Sequence, residues 1–371
     1  MIFFCKKCIT PNTRPRIGMK NNICNACLNS EEKNKINWNR REDEFLKLVE
    51  TIKNDKNKNK DYDCIVPWSG GKDSSSIALK LKSYGLKPLL VTFSPLIINE
   101  IGSFNREILL QHGFDSLFVR PDQKIAKKLA KRFFIERGNP KVAWDAGVVS
   151  TPIKIAINFK IPYVFYAEHG DSEYGGLVIS EKSKKLRETE EVIEHVIGDY
   201  PQNWVNDEIS PKDLYPYIYP DSEVLEKNRI HAFYFSYFFK WSMIDNYDYI
   251  KKEIPNFKVN QKGRTSGTFT NFDSLDDKID DLYYYMQFIK FGFGRAIRDV
   301  SRFIQNNRLT REEGLEFVRK YDGEFPNDHM TEVMQYLDIT SDEFYEIVNK
   351  HRNDEIWDKK GNSWILKHKP I

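Results

Sequence analysis

Ile65-Val66-Pro67-Trp68-Ser69-Gly70-Gly71-Lys72-Asp73-Ser74-Ser75-Ser76 joins a short apolar run to a hydroxyl- and glycine-rich turn, and a helical pattern (Ile77, Ala78, Leu81) follows at once. Two adjacent glycines let the backbone turn sharply and bring its N–H groups against an anion. The hydroxyls of Ser69 and Ser74 add donors, Lys72 adds charge, and the helix N-terminus adds its dipole. Such a turn is a cradle for a polyphosphate. The Walker spacing G-x-x-x-x-G-K-[ST] is absent, so the cradle is of another kind.

Outward from this turn the rhythm is strand–helix–strand. Cys64–Trp68 reads as a strand, Ser74–Tyr84 as a helix ended by Gly85, and Pro88–Phe93 as a second strand. A helix over Asn105–Gln111 stops at Gly113, and a third strand covers Ser116–Val119. Helices over Asp122–Glu136 and Asp145–Phe159 precede a strand at Pro162–Ala167. This alternation predicts an α/β fold, a parallel doubly wound sheet covered on both faces. Ligands of such sheets bind beyond the carboxyl ends of the strands. The turn at 69–74, the strand end at Val91–Ser94 and the strand end at Tyr166–Gly176 should therefore meet in one crevice.

Beyond residue 177 the alternation fades. The aromatic run His231–Tyr249 reads as helical, as do Leu275–Phe291, Arg295–Gln305, Thr310–Tyr321 and Ser341–Asn353. Thr310-x-x-Glu313 is a full capping box, and Ser341-x-x-Phe344 only a partial one. Upstream, Trp38–Ile52 carries a helical stripe of Phe45, Leu46, Leu48, Val49 and Ile52. Four regions are expected: residues 1–30, a helix and linker over 31–62, the sheet domain over 63–177, and a mostly helical region over 178–371.

With 30% charged and 40% hydrophobic residues the chain is that of a globular protein with a sizeable core. No apolar run approaches the roughly 20 residues of a membrane helix, and no signal peptide is evident, so no membrane partner and a cytoplasmic location are expected. A net charge of +3 is too mild for a strong nucleic-acid footprint. Cys5-x2-Cys8 and Cys24-x2-Cys27 are separated by fifteen residues, a spacing that suits four-thiolate zinc, with an iron centre as the alternative. Four protein ligands leave no open position, so the metal should be structural. Cys64, the fifth cysteine, reads as a small buried hydrophobe.

Three further passages are dense in reactive groups. Glu168-His169-Gly170-Asp171-Ser172-Glu173-Tyr174 leaves a strand end, where Glu168 or His169 could serve as general base and Glu173 or Tyr174 could hold a polar substrate; an ordinary charged turn is the alternative. Lys262–Asp273, with Arg264 and Asn271, reads either as a lid reaching phosphate or sugar or as a flexible surface loop. It leads into Asp273, Asp276, Asp277, Asp280 and Asp281, whose crowding at a helix start suits the dipole and leaves one or two for Mg²⁺. Lys290-Phe291-Gly292-Phe293-Gly294-Arg295 is either a late phosphate contact or a plain turn between helices.

The turn at 69–74 resembles the SGGxDS pyrophosphate loop of PP-loop ATP pyrophosphatases. With the cysteine knuckles, Glu173-Tyr174-Gly175-Gly176 and the 263–296 passage, the chain over about residues 1–310 resembles the N-acetyl sugar amidotransferase family. That group includes enzymes of pseudaminic and legionaminic acid modification and of bacterial surface-polysaccharide synthesis. The resemblance implies conversion of a sugar acetamido group to acetamidino with ATP, Mg²⁺ and ammonia, releasing AMP and pyrophosphate. It implies nucleotide contacts at Ser69, Gly70, Gly71, Lys72, Asp73, Ser74 and Arg295, and adenosine beside Thr92 and Phe93. Catalytic work would fall to Lys72, Asp73, Glu168 and Lys290, and substrate contacts to His169, Glu173, Tyr174, Arg264 and Asn271. Four cysteines are assigned to zinc and none follows Met1, so ammonia should come from a separate glutaminase subunit or from solution. Two rival readings remain: a PP-loop tRNA thiolation enzyme, which would need further catalytic cysteines, and a nucleotide-binding scaffold without turnover in a polysaccharide-assembly complex.

Overall fold

The computed structural model describes residues 1–177, 180–361 and 363–370. It opens with a small hairpin, β1 (Met19–Lys20) and β2 (Ile23–Cys24), turned at Asn21 and Asn22. Both asparagines have positive φ, the requirement of a tight two-residue hairpin turn. Helices α1 (Asn25–Lys33) and α2 (Trp38–Asn54) follow. The Asn37 side chain caps α2 by accepting from the Arg40 N–H, and the stripe Phe45, Val49, Ile52 is buried as its helical spacing requires.

The centre is a five-stranded parallel sheet in the order β5-β4-β3-β6-β7. Its strands are β3 (Cys64–Pro67), β4 (Pro88–Phe93), β5 (Asp115–Val119), β6 (Tyr163–Tyr166) and β7 (His231–Tyr234). Between them run α3 (Lys72–Ser83), α4 (Glu100–Leu110), α5 (Gln123–Arg137) and α6 (Val142–Phe159). After β6 come the short helices α7 (Gly170–Tyr174), α8 (Glu181–Lys185), α9 (Thr189–Glu191) and α10 (Ser222–Lys227). Alternate strand residues feed two cores. Ile65, Val91 and Val164 pack against α6, while Val66, Leu90 and Phe165 pack against α2 and α3. Both faces are therefore dry at β3, β4 and β6, as their near-continuous apolar sequences require, while edge strand β5 stays partly exposed.

The aromatic run 231–249 is not one helix. It supplies β7, a single turn α11 (Phe235–Phe238) and α12 (Met243–Glu253). An aromatic run that is apolar in every direction carries neither helical nor strand period, and here sheet pairing decides: Tyr163 to Tyr166 lie opposite His231 to Tyr234. Phe233 stacks on Phe165 at 5.5 Å, and Tyr234 faces the other core. The sheet thus extends past residue 177.

The C-terminal part contains α13 (Asp280–Phe291), α14 (Arg295–Gln305), α15 (Arg311–Tyr321), α16 (Met330–Leu337) and α17 (Ser341–Lys350), then a hairpin of β8 (Trp357–Lys360) and β9 (Ser363–Leu366). Helix α13 starts five residues later than the apolar pattern predicts, because 275–279 pairs with the chain after β4: Asn99 N–H donates to Asp276 O and Lys278 N–H to Ile97 O. Thr310 and Glu313 form the expected capping box. For α17 the box is complete but one residue earlier, Thr340 with Glu343. No helix among the described residues is long and apolar enough to cross a membrane.

Candidate active site

The turn after β3 is shaped by its glycines. Gly70 has φ +91°, and a Cβ there would lie 2.6 Å from Arg106 Cγ and 3.0 Å from Gly102 O, so only glycine fits. Gly71 is the N-cap of α3 without any side-chain cap, and the first amide to reach a backbone carbonyl is Ser75 N–H, on Gly71 O at 3.1 Å. Among the described residues the N–H groups of Lys72, Asp73 and Ser74 have no backbone acceptor, which leaves a free positive helix end. Ser69 Oγ accepts from Gly71 N–H at 3.2 Å, and Arg106 holds Ser69 O at 3.0 Å.

Lys72 is buried, yet its ammonium meets two carboxylates: Asp73 Oδ2 at 2.6 Å and Asp273 Oδ1 at 2.5 Å. Burial alone would lower its pKa; Asp273 and then Asp73 raise it above the ordinary value. Burial pushes Asp273 upward, but Lys72, with Arg295 and Arg302 behind it, holds its carboxyl below the usual range. Arg295 donates to Asp273 O at 2.9 Å and pairs with Asp281 at 3.3 Å. Asn246 donates to the other oxygen of Asp73 at 2.9 Å. Loop and C-terminal part therefore meet on Lys72, and α12 joins them through Asp73.

Three further acids of that passage already have partners, Asp281 on Arg295 among them. Asp277 accepts from the Leu96 and Ile97 amides at 2.8 and 3.0 Å, and Asp280 pairs with Lys141. Asp73 and Asp273, both on Lys72 at the loop, fit Mg²⁺, which takes one or two carboxylates together with phosphate oxygens.

After β6, Glu168 accepts from the Tyr174 hydroxyl. Burial, then repulsion from Asp73, raises its pKa, against Tyr174 and Arg302. His169 is not free for base chemistry: its Nδ1 accepts from Ser172 N–H at 3.1 Å and caps α7, and its Nε2 lies 3.5 Å from Glu191. Burial lowers its pKa. Glu173 pairs with Lys33 of α1.

The other expected residues are placed as follows. Thr92 donates its hydroxyl to Trp68 O at 2.5 Å, and the Phe93 ring fills the space that a Cβ on Gly147 would need, so both side chains belong to the core. Lys290 donates to Arg137 O at 2.6 Å beside Gly138 and His351, and no hydrogen bond joins it to the loop. Arg264 makes a two-pronged pair with Glu324 at 2.6 and 2.7 Å. Asn271 is half-buried, its carbonyl accepting from Asn260 N–H. The 262–273 passage is accordingly a pinned wall: Thr268 and Thr270 also donate to Asp299 at 2.7 and 3.1 Å. The Gly292-Phe293-Gly294 break is a turn between helices. Asp322 accepts from Gly294 and Ile297 N–H at 2.9 and 3.1 Å, occupying the end of α14 that a phosphate would take.

The four knuckle thiols are buried, with sulfurs all within 4.8 Å of one another. Cys8 and Cys24 lie 3.5 Å apart and Cys5 and Cys27 3.9 Å, close to the about 3.8 Å edge of a tetrahedron with zinc–sulfur bonds near 2.3 Å. Backbone N–H groups of Cys24 and Thr10 point at the Cys5 and Cys8 sulfurs, as they do toward thiolates. These residues fit zinc. The knuckle also clasps the site: Gly18 N–H donates to Gly175 O, Asn29 to Ser172 O, and Thr10 to Ser301.

Sequence reasoning missed Lys33, Asn246 and Asp322, together with Arg14, Arg298 and Arg302. The spacing Arg295, Arg298, Arg302 puts three cations on one face of α14, a legible signal. A cavity of about 360 Å³ opens beside the C-terminal end of α14, lined among others by Glu173, Tyr174, Ser242, Met243 and, alone of the three arginines, Arg302.

Residues 266–369 match the family model described as "LPS biosynthesis protein WbpG-like, C-terminal domain". The match takes in Asp273, Arg295, Arg298 and Arg302 and leaves out the loop and the knuckle. This part of the chain is therefore similar to a domain of lipopolysaccharide-biosynthesis proteins. Among solved structures, one described as a predicted subunit of tRNA methyltransferase from Methanocaldococcus jannaschii is 25% identical. That match covers 41% of this chain and 72% of the other at a TM-score of 0.24, too low to argue from. No curated protein matches the chain.

Proposed function

We propose that the protein is an ATP-dependent amidotransferase that turns the acetamido group of a sugar into an acetamidino group, within surface-polysaccharide or nonulosonic acid synthesis. The observation that carries the reading is the free amide end of α3 with buried Lys72 beside it, a cradle for the β and γ phosphates. Residues 63–177 together with β7 would form the nucleotide-binding body, and the C-terminal part would close over it.

The amide oxygen attacks the α-phosphorus, the bond to the bridging oxygen breaks, and pyrophosphate leaves into the loop. Ammonia adds to the imidate carbon, and AMP departs with the former amide oxygen. Lys72 and the amides of residues 72–74 neutralise charge on the leaving pyrophosphate, and Mg²⁺, held by Asp73 or Asp273, would shield the phosphates. Glu168, with its raised pKa, suits taking a proton from ammonium, which leaves ammonia to attack. Thr92 and Phe93 would meet adenosine through their backbone. Ammonia would come from a separate glutaminase subunit or from solution. Cys64 lies wholly buried with burial raising its thiol pKa, so it does not suit sulfur carriage in tRNA thiolation.

The test is incubation with ATP, Mg²⁺, ammonium and N-acetylated sugars. The expected result is AMP with pyrophosphate, and a sugar in which NH has replaced the carbonyl oxygen by mass. ADP in place of AMP refutes the reading.

A further inference from the structure

The cysteine knuckle and the cavity beside Tyr174 share a wall. Cys24 is the N-cap of α1 and Cys27 lies in its first turn, so two of the four thiols sit on or at the head of that helix. Six residues past Cys27 the helix ends at Lys33, which pairs with Glu173 of α7. Ser30 and Lys33 line the cavity of about 360 Å³ together with Glu173 and Tyr174. A second cavity of about 320 Å³, lined among others by Trp38, His169 and Tyr237, also ends on Lys33 and Glu173. The two side chains are 16% and 8% exposed, so the ion pair is a partition between the cavities.

Further bonds tie the ligand-bearing segments to α7 and to the end of α14. Asn29 donates to Ser172 O at 3.0 Å, Gly18 N–H to Gly175 O at 2.9 Å, and Arg16 pairs with Asp171 at 3.0 Å. Ser30 donates to Gln305 O at 2.7 Å, Thr10 to Ser301 at 3.1 Å, and Gln305 to the Cys27 sulfur at 3.8 Å. Helix α7 has five residues and rests on α1. The knuckle, in turn, has little apolar substance. The core around the sulfurs consists of the four cysteines and Ala26, with Ile17, Met19, Ile23 and Ile304 of α14 partly buried against it. A segment of that size keeps its shape through its metal, and the free energy of metal binding is then free energy of folding.

We infer that the zinc knuckle positions the cavity: the metal fixes α1, α1 fixes Glu173 through Lys33, and Tyr174 is thereby held with its hydroxyl on Glu168. Lys33 is a positioning residue, and the knuckle is a wall of the site. Zinc binding and the ordering of residues 170–176 are then linked, so each stabilises the other. The role of Glu168 as base comes from the proposed function; the linkage does not depend on it. The phosphate loop has holds of its own, Arg106 of α4 on Ser69 O and Asn246 of α12 on Asp73.

The experiment is hydrogen–deuterium exchange of the full chain, followed by mass spectrometry, zinc-loaded and after removal of zinc by a chelator. The amides of Ser172, Glu173, Gly175 and Gly176 report on α7, because they donate to His169 Nδ1, His169 O and Asp171 O. Zinc removal should speed their exchange at least about ten-fold. In the zinc-loaded protein K33M should speed exchange at 172–176 while leaving 64–83 within about two-fold of the wild type, and K33R should restore the native rate. Native exchange at 172–176 in the zinc-free chain overturns the inference. So does zinc-loaded K33M with the native rate there, with a rate that K33R does not restore, or with an equal rise over 64–83, which would make Lys33 a support of the whole fold. Should a thermal melt show the zinc-free chain unfolded throughout, these zinc-loaded variants decide. Exchange is read without substrate or turnover, so a failure to form amidine leaves this result standing and the two readings fall separately.

Discussion

Replacing Lys72 by methionine keeps most of the unbranched side chain and removes its charge. In the native protein that charge, 2% exposed, faces Asp273, whose side chain is 23% exposed, at 2.5 Å. Breaking a buried pair from one side costs about 3–5 kcal/mol, because the other charge is left without its partner. Asp273 keeps some solvent and retains Arg295 and Arg302 nearby, so the lower end, about 3 kcal/mol, is expected near neutral pH. The pH dependence has a definite sign. In the wild type the Asp273 carboxyl is held low, so its contribution is present above the ordinary carboxyl range and lost as pH falls through the folded value. Without Lys72, burial should raise that pKa; a raised carboxyl contributes below the unfolded value and loses its contribution as pH rises. The deficit of K72M should therefore shrink as pH falls from 7 toward 4. Urea melts followed by tryptophan fluorescence measure it, and K72M/D273N should recover to within about 1 kcal/mol of the wild type. A double variant less stable than K72M would refute the reasoning, as would a K72M deficit indifferent to pH.

Substituting Cys24 with serine should remove the metal, by elemental analysis, and make the first thirty residues sensitive to protease; a zinc-loaded, protease-resistant C24S would exclude the tetrahedral site. Because Glu168 carries a raised pKa, its basic form accumulates as pH climbs above the ordinary glutamate range of about 4.3, so turnover should rise over that interval. E168Q should lose this limb of the pH profile, and an unchanged profile would rule out the residue as base. Gly175 has φ +86° and a Cβ there would lie 2.6 Å from the Ala26 backbone nitrogen. G175A should cost at least about 1–2 kcal/mol from the left-handed backbone alone, read as a lower melting temperature; a change of a few tenths would show that knuckle and α7 are not held in register there.

The features legible from residues were those with a local cause. The loop, the strands with apolar runs, the Thr310 capping box and the paired cysteine knuckles follow from spacing within about two dozen residues. What stayed hidden depends on partners far along the chain. Nothing local to His231–Tyr234 signals a strand; β6 pairs with it. Nothing local to Arg264 or Gly294 shows that Glu324 and Asp322 bind them before any phosphate does. His169 carries the chemistry of a base, and only the fold reveals that its Nδ1 caps α7. Conversely, the arginine face of α14 was present in the spacing 295, 298, 302, but only the fold shows that Arg295 meets Asp281 while Arg302 lines the cavity.

On the proposed function, the contact between Lys72 and Asp273 also bears on how nucleotide would enter. In the structure the carboxylate from the C-terminal part pairs with the lysine that, on the proposed function, would hold phosphate. Binding then becomes an exchange of one anion for another, so Lys72 need not be stripped of a partner in a low-dielectric site. The exchange has a cost, because the native pair must open first. D273N should remove that competition, leaving Lys72 to Asp73 and the incoming phosphate. A hydrogen bond between charged groups is worth roughly 1.5–3 kcal/mol, so Mg²⁺-free ATP should bind about ten-fold tighter or more. The measurement is made without Mg²⁺ because Asp273 is one of two candidate ligands for that ion. If D273N binds free ATP no better than the wild type, the carboxylate does not guard the cradle, and the pair serves only to hold the C-terminal part against the loop.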